Sequence, residues 1–152
     1  YAHLLRDDPA YAAKAARISE LTKDLSELLP VIAPALQGRV KPSGAMIAYH
    51  PPCTLQHGQK LRGGVEQWLG ELGFTVRVAT NESHLCCGSA GTYSVLQPGT
   101  SEQLRDRKLG HLGALQPAAI VSANIGCITH LQSGTDTPVR HWVELLDEAL
   151  AD

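Results

Sequence analysis

The sequence lacks the features that mark several common classes of protein. No apolar run approaches the roughly 20 residues that a helix needs to cross a bilayer. Charge is nearly balanced, with 13 Lys and Arg against 15 Asp and Glu, and only 5% of the residues are aromatic. Nucleic-acid binding calls for a basic surface with interleaved aromatic side chains, and this composition does not provide one. The first residues are too polar and acidic for a signal peptide, so the expected compartment is the reducing cytoplasm.

The sequence does not begin with methionine, which predicts a fragment of a longer polypeptide or a processed one. Its 152 residues, 43% of them hydrophobic, suffice for one domain with a buried core and an appended arm. Asp8-Pro9 is typical of a helix start, and apolar residues at three- and four-residue steps predict an amphipathic helix ending near Pro30. Prolines and glycines between residues 30 and 44 predict a loop. We therefore expect a helical arm and linker over residues 1–43 and an α/β domain over 44–152.

Strand-like and helix-like segments alternate after residue 44. The spacing of Thr100 and Gln103 predicts a capping box, and Gly63-Gly64 is interpreted as part of a helix rather than a phosphate loop. The alternation predicts an α/β fold, with a doubly wound, mostly parallel four-stranded sheet and helices on both faces. One sequence does not determine the strand order, for which 2-1-3-4 is a natural guess. Strands are expected at 45–49, 74–78, 118–122 and 138–141, and helices at 59–72, 100–115, 124–132 and 142–150.

All four cysteines follow the ends of predicted strands. Because the carboxyl ends of parallel strands gather at one edge of a sheet, where ligands bind, these thiols are expected to converge. A disulfide within the adjacent pair is disfavoured, since neighbouring Cα atoms lie ~3.8 Å apart and disulfides usually need about 4.4 Å or more. The sequence therefore predicts one site for a metal ion or cluster, with these ligands: Cys53, Cys86, Cys87 and Cys127.

A histidine is predicted to join the thiols. If Asn124 caps the helix that contains Cys127, the free backbone amides and the helix dipole favour a thiolate there. His130, three residues further on, lies on the same helical face and can point at the same ion. The remaining histidines near this edge are interpreted as surface or supporting groups: His50, His57, His84 and His141.

The residue types leave the identity of the metal open. Thiolate-rich sites favour zinc, copper(I) and iron–sulfur clusters. Zinc sites usually contain a C-x-x-C knuckle, and this sequence has none. Four thiolates with a fifth candidate ligand exceed what a tetrahedral structural zinc needs. A structural metal site, a metal-free docking module and a thiol redox enzyme using the adjacent pair remain alternatives, of which the last has the least support.

The spacing Cys-x(32)-Cys-Cys-Gly-x(38)-Cys-x-x-His resembles the cysteine-rich CCG domain, in which the last position is usually cysteine. The segments around Cys53, Cys86-Cys87-Gly88 and Cys127, together with the leader at residues 3–9, most closely resemble the C-terminal part of glycolate oxidase iron–sulfur subunits. Heterodisulfide reductases contain a cysteine-rich chain of the same wider family.

The resemblance implies an iron–sulfur domain that carries electrons in a multi-subunit 2-hydroxy-acid (glycolate) oxidase, and not the subunit that oxidises the substrate. The implied cofactor is a [4Fe–4S]-type cluster, cubane or non-cubane, which an isolated fragment can lack. His130 stands at the fifth ligand position. An imidazole there removes one negative charge, which is expected to raise the reduction potential, as in Rieske centres.

The resemblance also implies partners for this chain. These are the flavoprotein subunits of the oxidase complex and upstream iron–sulfur domains of the same polypeptide. The expected location is the cytoplasm, either free or peripherally at the inner membrane through the complex. The alternative function is a structural metal-binding or metal-free docking module for the flavoprotein.

Overall fold

The computed structural model describes residues 1–150, and in that part of the chain four strands form one parallel sheet. The strand order is β2-β1-β3-β4, which agrees with the natural guess, and the parallel sheet confirms the fold class predicted from the sequence. The sheet places the ends of β1 and β3 side by side at its centre. The strands are β1 (Met46–Tyr49), β2 (Thr75–Val78), β3 (Ala119–Ser122) and β4 (Val139–His141).

Helices cover both faces of the sheet. One face packs against α2 (Leu25–Leu36), α3 (Gly64–Glu71) and α7 (Trp142–Ala149), and the other packs against α5 (Pro98–Gly113) and α6 (Ile125–Gln132). Side chains along a strand alternate between faces, so in β1 Ile47 and Tyr49 join the first core while Ala48 joins the second. The second core contains two of the cysteines, Cys87 and Cys127.

The N-terminal part differs from the prediction of one helix ending near Pro30. It forms α1 (Ala12–Leu21) and then α2, because a capping box at Asp24 starts a new helix. The Asp24 carboxylate accepts a hydrogen bond from the Ser26 amide at 2.9 Å, and the Asp24 amide donates to the Glu27 carboxylate at 2.8 Å. The loop predicted from residue 30 was therefore wrong over residues 30–36, which belong to α2.

Two prolines lie inside α2 without ending it. Pro30 and Pro34 are four residues apart on the exposed side of the helix, where water can reach the backbone carbonyls that prolines leave unpaired. On the opposite side of α2, Leu29 and Ala33 are buried in the core with residues of α3 and α7. The domain boundary at residues 43 and 44 stays a prediction, but α2 itself packs on the sheet.

Two helices of the α/β domain also start elsewhere than predicted, whereas α7 starts at Trp142 as predicted and α6 starts directly after Asn124. The helix expected at 59–72 begins at Gly64 after a left-handed Gly63, whose φ is +76°, so the glycine pair marks the start of the helix rather than lying in its interior. A π-helical turn, Thr54–Gly58, occupies the preceding segment. The helix expected at 100–115 begins at Pro98, after a short helix α4 (Tyr93–Leu96), so the capping box at Thr100 was wrong. Within residues 1–150, no helix combines the length and apolar character that a membrane crossing requires.

The cap of α7 titrates. His141 Nδ1 accepts a hydrogen bond from the Val143 amide at 3.2 Å, which requires an unprotonated nitrogen. Burial lowers the pKa of His141, although Glu144 and Asp24 act in the opposite direction. A folded-state pKa below the unfolded value of about 6.5 means that this stabilisation is fully present above that pH. It is lost as the pH falls through the folded pKa.

We expect His141→Asn to reduce the loss of stability between pH 7 and pH 5. Asparagine is also a good N-cap but does not titrate in this range. Urea unfolding of both chains at the two pH values measures the difference in unfolding free energy. Equal losses in the two chains would show that His141 does not contribute to the acid sensitivity.

Candidate metal centre

The first thiol of the site follows β1 directly. Pro51 and Pro52 restrict the backbone after the strand, and Cys53 leads into the π-helical turn that begins at Thr54. The turn is held from within the fold, because the Gln56 side-chain amide donates to the Pro51 carbonyl at 2.7 Å and approaches the Ser83 carbonyl at 3.3 Å. The Cys53 segment is thereby tied to the loop that carries the next two cysteines.

The adjacent cysteines lie on a sharp turn at Gly88. This glycine has φ of +95°, which other residues rarely adopt, and its amide donates to Cys86 Sγ at 3.3 Å. A Cβ atom at Gly88 would overlap the carbonyl oxygen of Ser101 in α5. The buried Ser101 hydroxyl donates to the Gly88 carbonyl at 2.8 Å. Close packing against α5 therefore sets the turn that presents Cys86 and Cys87.

The last thiol lies at the start of α6. Asn124 caps the helix, and its side-chain oxygen accepts a hydrogen bond from the Cys127 amide at 3.2 Å, as predicted. The thiol of Cys127 therefore lies in the first turn, where the helix dipole favours negative charge. Ser89 connects the two loops, because its Oγ lies 3.3 Å from Cys87 Sγ and 3.8 Å from Cys127 Sγ.

The four cysteines are free thiols, and neighbouring thiols shift one another's pKa. Interaction with the Cys87 thiol, ahead of burial, raises the pKa of Cys86. Burial and then the Cys86 thiol raise the pKa of Cys53, whereas the Cys87 thiol lowers the pKa of Cys127. The thiols thus form a contiguous series from Cys53 through the adjacent pair to Cys127. A pocket of about 280 Å³ opens beside them, and Cys53, Cys86 and Cys127 line it.

A buried ammonium group adds positive charge to this region. Lys108, on α5, is 1% exposed, and its Nζ donates to the backbone carbonyls of Glu82 and Ser83. Burial lowers the pKa of Lys108, while the nearby cysteines act in the opposite direction. A neighbouring cation favours thiolates over thiols. The sequence analysis did not identify Lys108, because a lysine within a helical pattern resembles an ordinary surface residue.

His130 is not part of the compact group of ligand atoms formed by His50, Cys87 and Cys127. Its Nε2 is 3.0 Å from Ser101 Oγ and 3.2 Å from the Ser101 carbonyl oxygen. Because the Ser101 hydroxyl donates to Gly88 and a carbonyl can only accept, Nε2 carries the hydrogen in this arrangement. His130 therefore contacts the residue that supports the Gly88 turn. Its assignment as a ligand stays a prediction.

The histidine that the structure places beside the thiols is His50. One of its ring nitrogens lies within 4.8 Å of both Cys87 Sγ and Cys127 Sγ, and all three residues are buried. His50 was predicted to be a supporting or surface group. The alternation of side chains along β1 could have predicted the position of His50. His50 is two residues after Ala48 and so shares the face on which the cysteines lie.

These donors fit a metal ion or a thiolate-bound cluster. Four thiols and one imidazole converge at this edge, and Zn–S bonds of about 2.3 Å place two ligands of a tetrahedral ion roughly 3.8 Å apart. The ligand atoms of His50, Cys87 and Cys127 all lie within 4.8 Å of one another, which is close enough for them to approach one ion. Cys53 and Cys86 lie outside that group but line the adjoining pocket, which is far larger than a single ion needs. A larger cluster bound by all four thiols is therefore compatible with the site.

The fold is a doubly wound α/β domain with thiols gathered at the carboxyl edge of its sheet. Comparison with known protein families agrees with this description. Residues 47–132 match the family model described as "Cysteine-rich domain" (CCG), which is more than half of the chain, so this chain belongs to that family. The chain is also similar to the glycolate oxidase iron–sulfur subunit of Escherichia coli (strain K12), with 50% identity over 99% of this chain and 36% of the relative.

Two further relatives are more distant. Lactate utilization protein A of Geobacillus kaustophilus (strain HTA426) is 28% identical over 97% of this chain and 63% of its own length. The probable glycolate oxidase iron–sulfur subunit of Bacillus subtilis (strain 168) is 26% identical over 90% of this chain and 31% of its own length. This chain therefore spans less than two thirds of the length of each of these relatives.

Proposed function

We propose that this chain is an iron–sulfur domain that transfers electrons within a multi-subunit 2-hydroxy-acid oxidase, from a flavoprotein subunit to a later acceptor. The observation that carries the proposal is the convergence of Cys53, Cys86, Cys87 and Cys127 beside one pocket. The 50% identity to a glycolate oxidase iron–sulfur subunit supports the class of complex. The proposed location is the cytoplasm or the membrane periphery.

An iron–sulfur cluster bound here would supply one-electron transfer, and the protein would hold it by the four thiolates. Each surrounding group contributes separately. The Gly88 turn orients Cys86 and Cys87, the start of α6 and Lys108 favour negative charge on the sulfurs, and the second core shields Cys87 and Cys127 from water. The sequence carries no flavin or nicotinamide fingerprint, and the proposal assigns substrate oxidation to the flavoprotein.

The proposal predicts that the full chain, reconstituted anaerobically with ferrous iron and sulfide, binds both. We expect comparable amounts of iron and acid-labile sulfide per chain and a visible absorption band that dithionite bleaches. The variant with all four cysteines replaced by serine should bind neither, because it keeps the shape of the site but loses the thiolates. Retention of iron and sulfide by that variant would contradict the assignment of the site.

The electron-transfer step needs a second measurement. The cluster-loaded chain is mixed anaerobically with the flavoprotein subunit, and a 2-hydroxy acid is then added. We expect bleaching of the cluster absorption only when both the flavoprotein and the hydroxy acid are present. Bleaching that does not depend on the flavoprotein, or no bleaching at all, would contradict the proposed role.

A structural zinc site is the second candidate function. The observation that favours it is the compact group of His50, Cys87 and Cys127, which resembles three ligands of a single ion. In this case the chain would serve as a docking module for the flavoprotein. One zinc per chain without sulfide, in protein purified anaerobically, would support this function and overturn the cluster.

A further inference from the structure

The backbone of His50 is fixed between the two central strands. Its amide donates to the Val121 carbonyl at 2.8 Å, and its carbonyl accepts from the Ser122 hydroxyl at 2.9 Å. The bonds to β3 continue the parallel pairing of β1 beyond its last residue. The side chain therefore leaves the sheet on the cysteine face with little freedom to move, and it is 1% exposed.

Both nitrogens of this buried imidazole lack a partner. Among residues 1–150, neither Nδ1 nor Nε2 of His50 makes a hydrogen bond to a protein group. A buried polar group without a partner destabilises the folded state, and such groups in folded proteins usually bind an ion or water. The thiols of Cys87 and Cys127 lie within 4.8 Å of one of these nitrogens. An ion at this position would satisfy the imidazole.

His130 is held in a different way. Its Nε2 contacts the Ser101 hydroxyl and carbonyl, and Ser101 in turn holds the Gly88 carbonyl. A Cβ atom on Gly88 would lie 3.1 Å from His130 Nε2, so this histidine packs against the back of the turn that carries the thiols. Its role in this arrangement is to support the turn.

We propose that His50 is the nitrogen ligand of the metal centre and that His130 is a positioning residue for the Gly88 turn. This inference rests on the proposed function only in requiring that the thiols bind a metal, and it holds for a cluster or for a single ion. The sequence pattern implies His130 as the ligand, whereas His50 lies outside that pattern. His50 joins Cys87 and Cys127 from the end of β1.

The test uses cobalt(II), which reports its ligands by absorption and needs neither sulfide nor a partner subunit. The full chain and its variants are titrated anaerobically with cobalt(II), and the d–d bands and thiolate charge-transfer band are recorded. We expect His50→Ala to shift the d–d bands and to weaken cobalt binding. We expect His50→Cys to restore binding and to add thiolate charge-transfer intensity, which a merely structural role of His50 would not do.

The control variants are His130→Ala and His57→Ala, the latter at an exposed position. His57→Ala should keep both the d–d bands and the cobalt affinity of the unmodified chain. His130→Ala should keep the d–d bands, because no ligand is lost, but should weaken cobalt binding, because the turn that presents Cys86 and Cys87 loses support. His130→Gln, whose amide can still donate to Ser101, should restore the affinity. A changed d–d spectrum in His130→Ala, with an unchanged one in His50→Ala, would overturn the assignment.

A measurement on the unmodified chain covers the case in which a His50 variant does not fold. The chain is labelled with ¹⁵N-histidine, loaded with cobalt(II) and studied by pulsed EPR. A strongly coupled imidazole nitrogen that persists in the His130→Ala chain supports His50 as the ligand, and its absence from the unmodified chain, or its loss in His130→Ala, overturns the inference. Failure of iron and sulfide reconstitution with successful cobalt binding through His50 would contradict the cluster and leave this inference standing.

Discussion

Gly88→Ala is expected to destabilise the fold by about 2–5 kcal/mol. A non-glycine residue in the left-handed region costs roughly 1–2 kcal/mol, and overpacking a filled interior costs typically 1–3 kcal/mol more. Both apply here, because Gly88 has φ of +95° and its added methyl group would overlap the Ser101 carbonyl. Urea unfolding measures the loss. The same substitution should prevent binding of a metal, since the turn presents Cys86 and Cys87.

Gly91→Ala is the matched control in the same loop. Gly91 also has a positive φ, +52°, but among the described residues no atom lies within 4 Å of an added Cβ. Its replacement should therefore cost only the backbone term, about 1–2 kcal/mol, and should leave the thiols in place. Equal losses for the two variants would show that the contact with Ser101 does not determine the shape of the turn.

Leu29→Ala is expected to cost about 2–5 kcal/mol, the usual range for truncation of a buried leucine. Leu29 lies on α2 at 0% exposure and packs in the core formed with α3 and α7. The reason for the large effect is that a cavity would form between helices that the sheet holds in place. Urea unfolding at fixed pH measures the change in the unfolding free energy.

Leu28→Ala makes the same chemical change one residue earlier. Leu28 is 42% exposed, so its truncation removes much less buried surface and should cost less than about 1 kcal/mol. The difference between the two variants measures how firmly α2 is packed. If Leu29→Ala were as mild as Leu28→Ala, α2 would belong to a loosely attached arm, in agreement with the predicted boundary after residue 43.

Local sequence signals predicted much of the fold. The apolar runs at β1 and β3 and the cap at Asn124 have local causes, since strand propensity and side-chain capping act within a few residues. The N-terminal helices were misread because two signals competed. Proline at position 30 favoured an end, whereas the capping box at Asp24 favoured a start, and burial of Leu29 and Ala33 decided the outcome.

The sequence by itself determined the α/β fold and the placement of Cys53, Cys86, Cys87 and Cys127 after strands that end at the same edge. Alternation of strands and helices and the spacing of the cysteines were sufficient for that. Only the tertiary structure decided which histidine accompanies the thiols. The direction of a side chain depends on contacts between residues distant in sequence, and the contact of His130 with Ser101 and the burial of His50 beside Cys87 are such contacts.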